Sequence, residues 1–181
     1  KKRMPEYVRI SRIFRDIPQM NTISGGETPH MRQLLQEEMK KRGLECNCIR
    51  CNEIKDREYD NNFIYNTIYK YEASGGTEYF ITINTLLDKR YIIGFIRLRL
   101  PDSENYIGKL NEYALVRELH VYSKMKRTNN DSKDDKDSSS QHMGYGKKLL
   151  EIAEDIATQM NYKKIAVIAG VGVRNYYRKR G

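Results

Sequence analysis

The sequence predicts an α+β fold: a mixed, mainly antiparallel sheet with flanking helices, preceded by a small helical segment that carries three cysteines. Two observations lead there. Three runs rich in β-branched and aromatic residues, at 64–71, 78–84 and 91–100, follow one another across short polar connections, the pattern of an antiparallel meander. A fourth apolar run, 114–122, then leads through glycines into an amphipathic helical pattern and a fifth apolar run, 163–169. Strand, helix and strand in that order give a parallel pair through a right-handed crossover.

The chain has 181 residues, enough for one ordinary domain with a small appendage. No apolar run reaches the roughly 18 residues that span a bilayer, so no membrane partner is expected. Lys1-Lys2-Arg3-Met4-Pro5 has no apolar segment behind it, so no signal peptide is visible and a cytoplasmic location is expected. The chain starts without Met and stops at Gly181 inside a promising motif, and reads as a fragment. Lys and Arg number 33 against 24 Asp and Glu, and the net charge of +9 favours a polyanionic partner, nucleic acid first. A generally basic surface is the plain alternative.

Residues 7–13 alternate apolar and polar, the period of a half-exposed strand, and Pro18 closes that region. Thr28-Pro29 is a helix start; Met31, Leu34, Leu35 and Met39 carry helical spacing through Lys41, and Gly43 supplies the stop. This opening region is too poor in apolar residues to make a core of its own. Cys46, Cys48 and Cys51 follow, all the cysteines of the chain. An odd count without a secretory signal fits disulfides poorly. Three thiols within six residues match one knuckle of a tetrahedral zinc site. His30, His120, His142, water or a residue outside the chain could be the fourth ligand; three free thiols are the alternative, and an iron–sulfur cluster fits less well.

Residues 124–140 are crowded with Lys, Asp, Asn and Ser and read as a disordered insertion. Gln141-His142-Met143-Gly144-Tyr145-Gly146-Lys147 then opens the main helix, whose apolar face holds Leu149, Leu150, Ile152, Ala153, Ile156, Ala157 and Met160. A glycine-bearing turn at a helix start exposes backbone N–H groups at the positive end of the dipole and can seat a pyrophosphate. An ordinary loop-to-helix junction would look the same. After the fifth run, Gly170-Val171-Gly172 turns the chain into a last helix that begins at Arg174.

This order of elements, with Gln141, Gly144 and Gly146 in a Gln/Arg-x-x-Gly-x-Gly/Ala pattern, resembles the GCN5-related N-acetyltransferase (GNAT) fold, an acyl-CoA N-acyltransferase architecture. Longer stretches at 115–122 and 164–179, with the cysteine cluster and residues 7–9 and 15–18, look like the Elongator catalytic-subunit family of tRNA uridine acetyltransferases. Members join a radical S-adenosylmethionine barrel to a C-terminal acetyltransferase domain and build a C5 carboxymethyl-type group on the wobble uridine. The resemblance implies that 1–60 are the barrel's tail and a zinc-binding linker, and 61–181 the acetyltransferase domain. The iron–sulfur motif of the barrel is absent from this sequence, so S-adenosylmethionine and a 4Fe-4S cluster are expected only elsewhere in such a protein.

The cofactors implied here are acetyl-CoA and zinc, the latter on Cys46, Cys48 and Cys51. Acetyl-CoA would be held by Leu119, His120 and Val121 on the fourth strand, by Gln141, His142, Met143, Gly144, Tyr145, Gly146 and Lys147 in the turn, and by Asn175 and Tyr176. Tyr176 and Tyr177 are the catalytic candidates: a phenol, titrating near 10, can protonate a departing thiolate at neutral pH, while one of the pair is core packing. Asn175 could instead cap the last helix, and Glu118 is a base or a surface partner of Arg117. The implied partners are tRNA at its anticodon region and a homo-oligomer or Elongator-type assembly. The competing readings are a non-catalytic zinc-bearing tRNA-binding or assembly module, and a lysine (histone) acetyltransferase.

Overall fold

A computed structural model of the chain describes residues 4–11, 13, 24, 31–102, 110, 112–122 and 144–180. It divides into two compact units, Lys1–Asn52 and Glu53–Gly181. The insertion at 124–140 and Gln141, His142 and Met143 lie outside the described residues, as do Thr28-Pro29 and His30.

In the smaller unit, α1 (Met31–Lys41) buries no residue, and Leu34 and Leu35 stay exposed. Gly43 ends it at φ +61°, with its N–H on the Lys40 carbonyl and the Leu44 N–H on the Met39 carbonyl. That doubled closure is the Schellman arrangement, which needs a residue tolerant of left-handed backbone. Residues 7–11 are irregular chain rather than the strand expected from their alternation. Alternation supplies a face but no partner. The Val8 carbonyl receives a single N–H, from Ile49 at 2.9 Å, and no neighbouring strand completes a ladder among the described residues. A short helix, α2 (Ile49–Asn52), follows.

The larger unit is one five-stranded sheet in the order β1 (Ile64–Glu72), β2 (Gly76–Leu86), β3 (Arg90–Pro101), β4 (Tyr113–Val121), β5 (Lys164–Val167). The first four pair antiparallel, and β4–β5 is parallel, as the strand–helix–strand pattern predicts. Residues 53–60 belong with this unit: Glu53 bridges to Ile92, and the fully buried Ile54 donates its N–H to the Ile92 carbonyl at 3.0 Å. The connecting helix α3 (Tyr145–Gln159) lays Leu149, Leu150, Ala153 and Ala157 on the sheet against Ile81, Ile83, Ile96, Leu98, Ala114 and Val116. Burying a leucine or isoleucine there stabilises the fold by about 1.5–3 kcal/mol each. The last helix, α4 (Arg174–Arg178), leans Tyr176 and Tyr177 on the same core.

The register of β3 on β4 passes from Leu98↔Val116 to Arg97↔Glu118, so Arg117 is an extra residue, a β-bulge. Its effect appears in the alternation. Ala114 and Val116 face the α3 core before it, and Leu119 and Val121 face the same core after it. An unbroken period of two would have turned the second pair to the opposite face.

That opposite face is charged. Glu78, 2% exposed, accepts from Tyr71 Oη at 2.8 Å, from Arg99 Nη1 at 3.2 Å and from Arg117 Nη1. Burial works to raise the Glu78 pKa, but the hydrogen bonds from Tyr71 and Arg117 and the Arg117 charge outweigh it and hold the group below its ordinary 4.5. Burial, with the Glu78 bond, pushes the Tyr71 phenol up to about 12. Removing one partner of such a buried group leaves the others uncompensated. Glu78→Gln should therefore lower the unfolding free energy by about 3–5 kcal/mol in urea titrations at neutral pH. A depressed folded pKa gives stability that is present above pH 4.5 and lost as pH falls through the folded value. Wild type should thus lose stability below that pH more steeply than Glu78→Gln.

Candidate functional site

The first turn of α3 has no side-chain cap on its backbone N–H groups, an arrangement that can receive an anion. Its N-cap is Gly144, at φ +69° and ψ 9°, with no side chain to satisfy the N–H groups behind it. A Cβ on Gly144 would meet nothing within 4 Å, but L side chains rarely adopt that backbone. The first turn has no acidic residue and two exposed lysines, Lys147 and Lys148. Lys147 reaches Glu151 at 3.4 Å. Cations at a helix start oppose its dipole by about 0.3–1 kcal/mol each, a cost that a bound anion removes.

Tyr145 contributes only backbone to this seat. Its ring is buried in the core, its hydroxyl donates to Asn61 Oδ1 at 3.1 Å, and burial followed by the charge of Tyr59 raises its pKa. Gly146 lies close against Tyr176. A Cβ there would run into the Tyr176 hydroxyl and lie 3.4 Å from Tyr176 Cζ and 3.9 Å from Val121 Cγ2. Three sequence candidates from three elements thus converge: Gly146 on α3, Val121 on β4 and Tyr176 on α4. Gly94 makes a comparable approach on β3, where a Cβ would sit 3.0 Å from the His120 carbonyl and 3.4 Å from Leu149 Cδ1. A glycine inside a strand pattern is a signal that could have marked it beforehand.

Beside this point the pairing of β4 with β5 stops. β4 and β5 pair from Tyr113↔Lys164 to Val116↔Val167, with one further bond from the Ile168 N–H to the Val116 carbonyl at 2.9 Å. Past the bulge, β4 continues against β3 alone, among the described residues, as far as Val121↔Gly94. Leu119 and Val121 line the α3 side of this free stretch. His120 turns the other way and packs its imidazole on Tyr122, centroids 4.5 Å apart, and on Phe95 at 6.1 Å. Only its backbone faces the opening.

Tyr176 and Tyr177 meet edge to face at 5.2 Å. The Arg180 guanidinium covers the Tyr176 ring at 3.9 Å, while burial, then the Tyr176 charge, raises the Tyr177 pKa. Tyr177 also lines an open cavity of about 300 Å³ with Val167, Ala169, Arg174 and Arg178. Asn175 is exposed and accepts from Arg178 Nη1 at 3.3 Å; the N-cap of α4 is Val173, so Asn175 does not cap that helix. Glu118 pairs with Arg97 at 3.1 Å rather than with its neighbour Arg117, because the bulge sends each to a different partner across the sheet.

The three thiols form a second cluster. The Sγ atoms of Cys46, Cys48 and Cys51 all lie within 4.8 Å of one another, against about 3.8 Å on a tetrahedral zinc with 2.3 Å bonds. Burial raises the Cys46 thiol to about 11, whereas N–H groups of Cys51 and Ile10 overcome burial and hold Cys48 below its ordinary value. Asn52 Nδ2 ties the loop by donating to the Cys46 and Cys48 carbonyls at 3.2 and 3.0 Å. Gln36 Nε2 and Arg32 Nη1 of α1 approach Cys51 Sγ at 3.3 and 3.7 Å, donors that sequence reasoning did not single out. No other His, Cys, Asp or Glu joins the cluster among the described residues.

Residues 48–181 match the family model described as Acetyltransferase (GNAT) family. The tRNA uridine(34) acetyltransferase of Methanocaldococcus infernus is 40% identical over 98% of this chain and 34% of its own length. Elongator complex protein 3 of Homo sapiens is 37% identical over 98% of this chain and 33% of its own. The solved structure of the archaeal Methanocaldococcus infernus Elp3 with an N-terminus deletion (1-46) superposes with a TM-score of 0.79 at 39% identity, covering 97% of this chain and 42% of that one. The chain spans about a third of the length of these curated relatives.

The Gly146–Tyr176 approach can be tested by a double-mutant cycle. Alanine in place of a helix glycine gains at most about 1 kcal/mol, less in the first turn, while forcing a side chain into occupied space costs about 1–3 kcal/mol. Gly146→Ala should destabilise the wild type, and the same change in a Tyr176→Phe background should be neutral or stabilising. Thermal unfolding of the four proteins measures the coupling.

Proposed function

The chain belongs to the acetyltransferase (GNAT) family, and we propose that it binds acetyl-CoA at the α3 turn and cleaves its thioester as part of a cytoplasmic tRNA-modifying enzyme. The convergence of Gly146, Val121 and Tyr176 beside the opening between β4 and β5 carries this reading. The first-turn amides of Tyr145, Gly146 and Lys147 receive the pyrophosphate, with Lys147 and Lys148 adding charge. The pantetheine arm lies along the free edge of β4, where backbone groups at Leu119–Val121 serve as hydrogen-bond partners in place of a fifth strand. Tyr176, whose hydroxyl lies beside Gly146 of the turn, gives its phenolic proton to the departing CoA sulfur as the acetyl C–S bond breaks. Water or a nucleic-acid acceptor takes the acetyl carbon, and solvent reprotonates the phenol. Tyr177 packs edge-on behind Tyr176 and holds its ring in place.

The relatives' names supply the nucleic acid: they are tRNA uridine(34) acetyltransferases, and the net charge of +9 suits a polyanion. tRNA is therefore the proposed partner and trigger of acetyl-CoA hydrolysis, on the way to a C5 carboxymethyl-type uridine. Cys46, Cys48 and Cys51 are the proposed zinc ligands, and zinc would fix the loop that Asn52 already braces.

Calorimetry with acetyl-CoA and turnover assays with and without tRNA test this function. Wild type should bind, and tRNA should raise turnover. Gly144→Glu places a carboxylate at the anion seat on strained backbone and should weaken binding at least about 100-fold. Tyr176→Phe should leave the dissociation constant near wild type and lower turnover by about 10²–10⁴-fold, the usual worth of a general acid. Absence of acetyl-CoA binding by wild type would remove the acyltransferase reading. For the metal, purified protein should carry about one zinc per chain by atomic absorption, and Cys48→Ser should lose it.

A further inference from the structure

The bulge at Arg117 is enclosed by a ring of side chains on the sheet face away from α3. Arg117 Nη1 bonds Glu78 Oε1. Glu78 Oε2 accepts from Tyr71 Oη at 2.8 Å, Tyr71 Oη accepts from Arg97 Nη1 at 3.2 Å, and Arg97 Nε donates to Glu118 Oε2 at 3.1 Å. The peptide bond between Arg117 and Glu118 closes the loop. Four strands contribute: β1, β2, β3 and β4. The ring is anchored at both ends. Arg99 ties Glu78 to the β1–β2 turn through the Ala73 and Ser74 carbonyls at 2.7 and 2.5 Å, and the Arg97 guanidinium lies over Phe80 and Phe95 at 4.8 and 5.6 Å.

A bulge leaves one residue without a ladder partner and bends its strand, so its position along the strand needs fixing. Here both residues of the two-against-one pair are held by ion pairs, each to a different strand. Everything that follows in β4 inherits that setting: the α3-facing placement of Leu119 and Val121, and the end of β5 pairing at Val116. We propose that the Glu78–Tyr71–Arg97–Glu118–Arg117 ring is a positioning device for the acyl-CoA site, holding the bulge that parts β4 from β5 and seats Leu119–Val121. The inference rests on the acetyl-CoA reading of that opening.

Position and stability separate at Glu118 more than at Arg117. Both are nearly half exposed, at 44% and 45%, but Arg117 serves the buried Glu78, so its loss also costs stability. Misplacing a binding edge by about 1 Å can cost about 100-fold in function. The neutral variants Arg117→Gln and Glu118→Gln should each weaken acetyl-CoA binding roughly tenfold; the melting temperature should move by less than about 4 °C in Glu118→Gln and fall further in Arg117→Gln, which takes a partner from Glu78. Amide hydrogen exchange should quicken at 117–121 and stay unchanged along the β1–β2 ladder. Wild-type affinity and exchange in both neutral variants would overturn the proposal. If wild type binds no acetyl-CoA, the proposed function falls, and the exchange pattern alone decides whether the ring holds the bulge.

Discussion

One residue more in β4 than in the β3 segment opposite it organises this molecule. A strand presents alternate side chains to alternate faces, and a helix such as α3 demands one continuous apolar strip. With Arg117 inserted, Ala114, Val116, Leu119 and Val121 all meet that demand, although their numbering changes parity midway. Past the insertion no pairing of β4 with β5 continues among the described residues, and Val121 on that stretch lies beside Gly146 at the start of α3.

Burying charge on the opposite face is costly unless every lone pair has a partner, and Glu78 has three. An apolar residue there would pack at less risk, but it would not reach Arg117. The network spans four strands through directional bonds, whereas apolar packing of similar volume would leave the bulge free to slide. Arg97 combines two contacts, its guanidinium over Phe80 and Phe95 while its Nε serves Glu118.

The two longer helices treat their ends differently. α1 places Lys40 and Lys41 in its last turn and closes on Gly43, in keeping with its dipole. α3 places lysines in its first turn behind an N-cap glycine with no capping side chain. A helix start that is uncapped and lysine-flanked is poorly satisfied alone and well satisfied by a phosphate. Next to it, Tyr176 fills the space that Gly146 leaves open.

Much of this was legible in the residues themselves. β-branched and aromatic runs marked the five strands, the apolar spacing of Leu149 to Ala157 marked α3, and the glycines at 43 and 144 marked turns whose φ is positive. Those signals act over a few residues, which is why local pattern carries them. Residues 7–11 show the limit, since alternation without a neighbouring strand yields no strand. The bulge at Arg117, the pairing of Glu118 with Arg97, the outward turn of His120 and the contact between Gly146 and Tyr176 depend on partners 20 to 40 residues away. The sequence by itself determined the elements, their order and the glycine seat. Only the tertiary structure decided which side chains face that seat, because register and ion pairing are properties of strands set side by side.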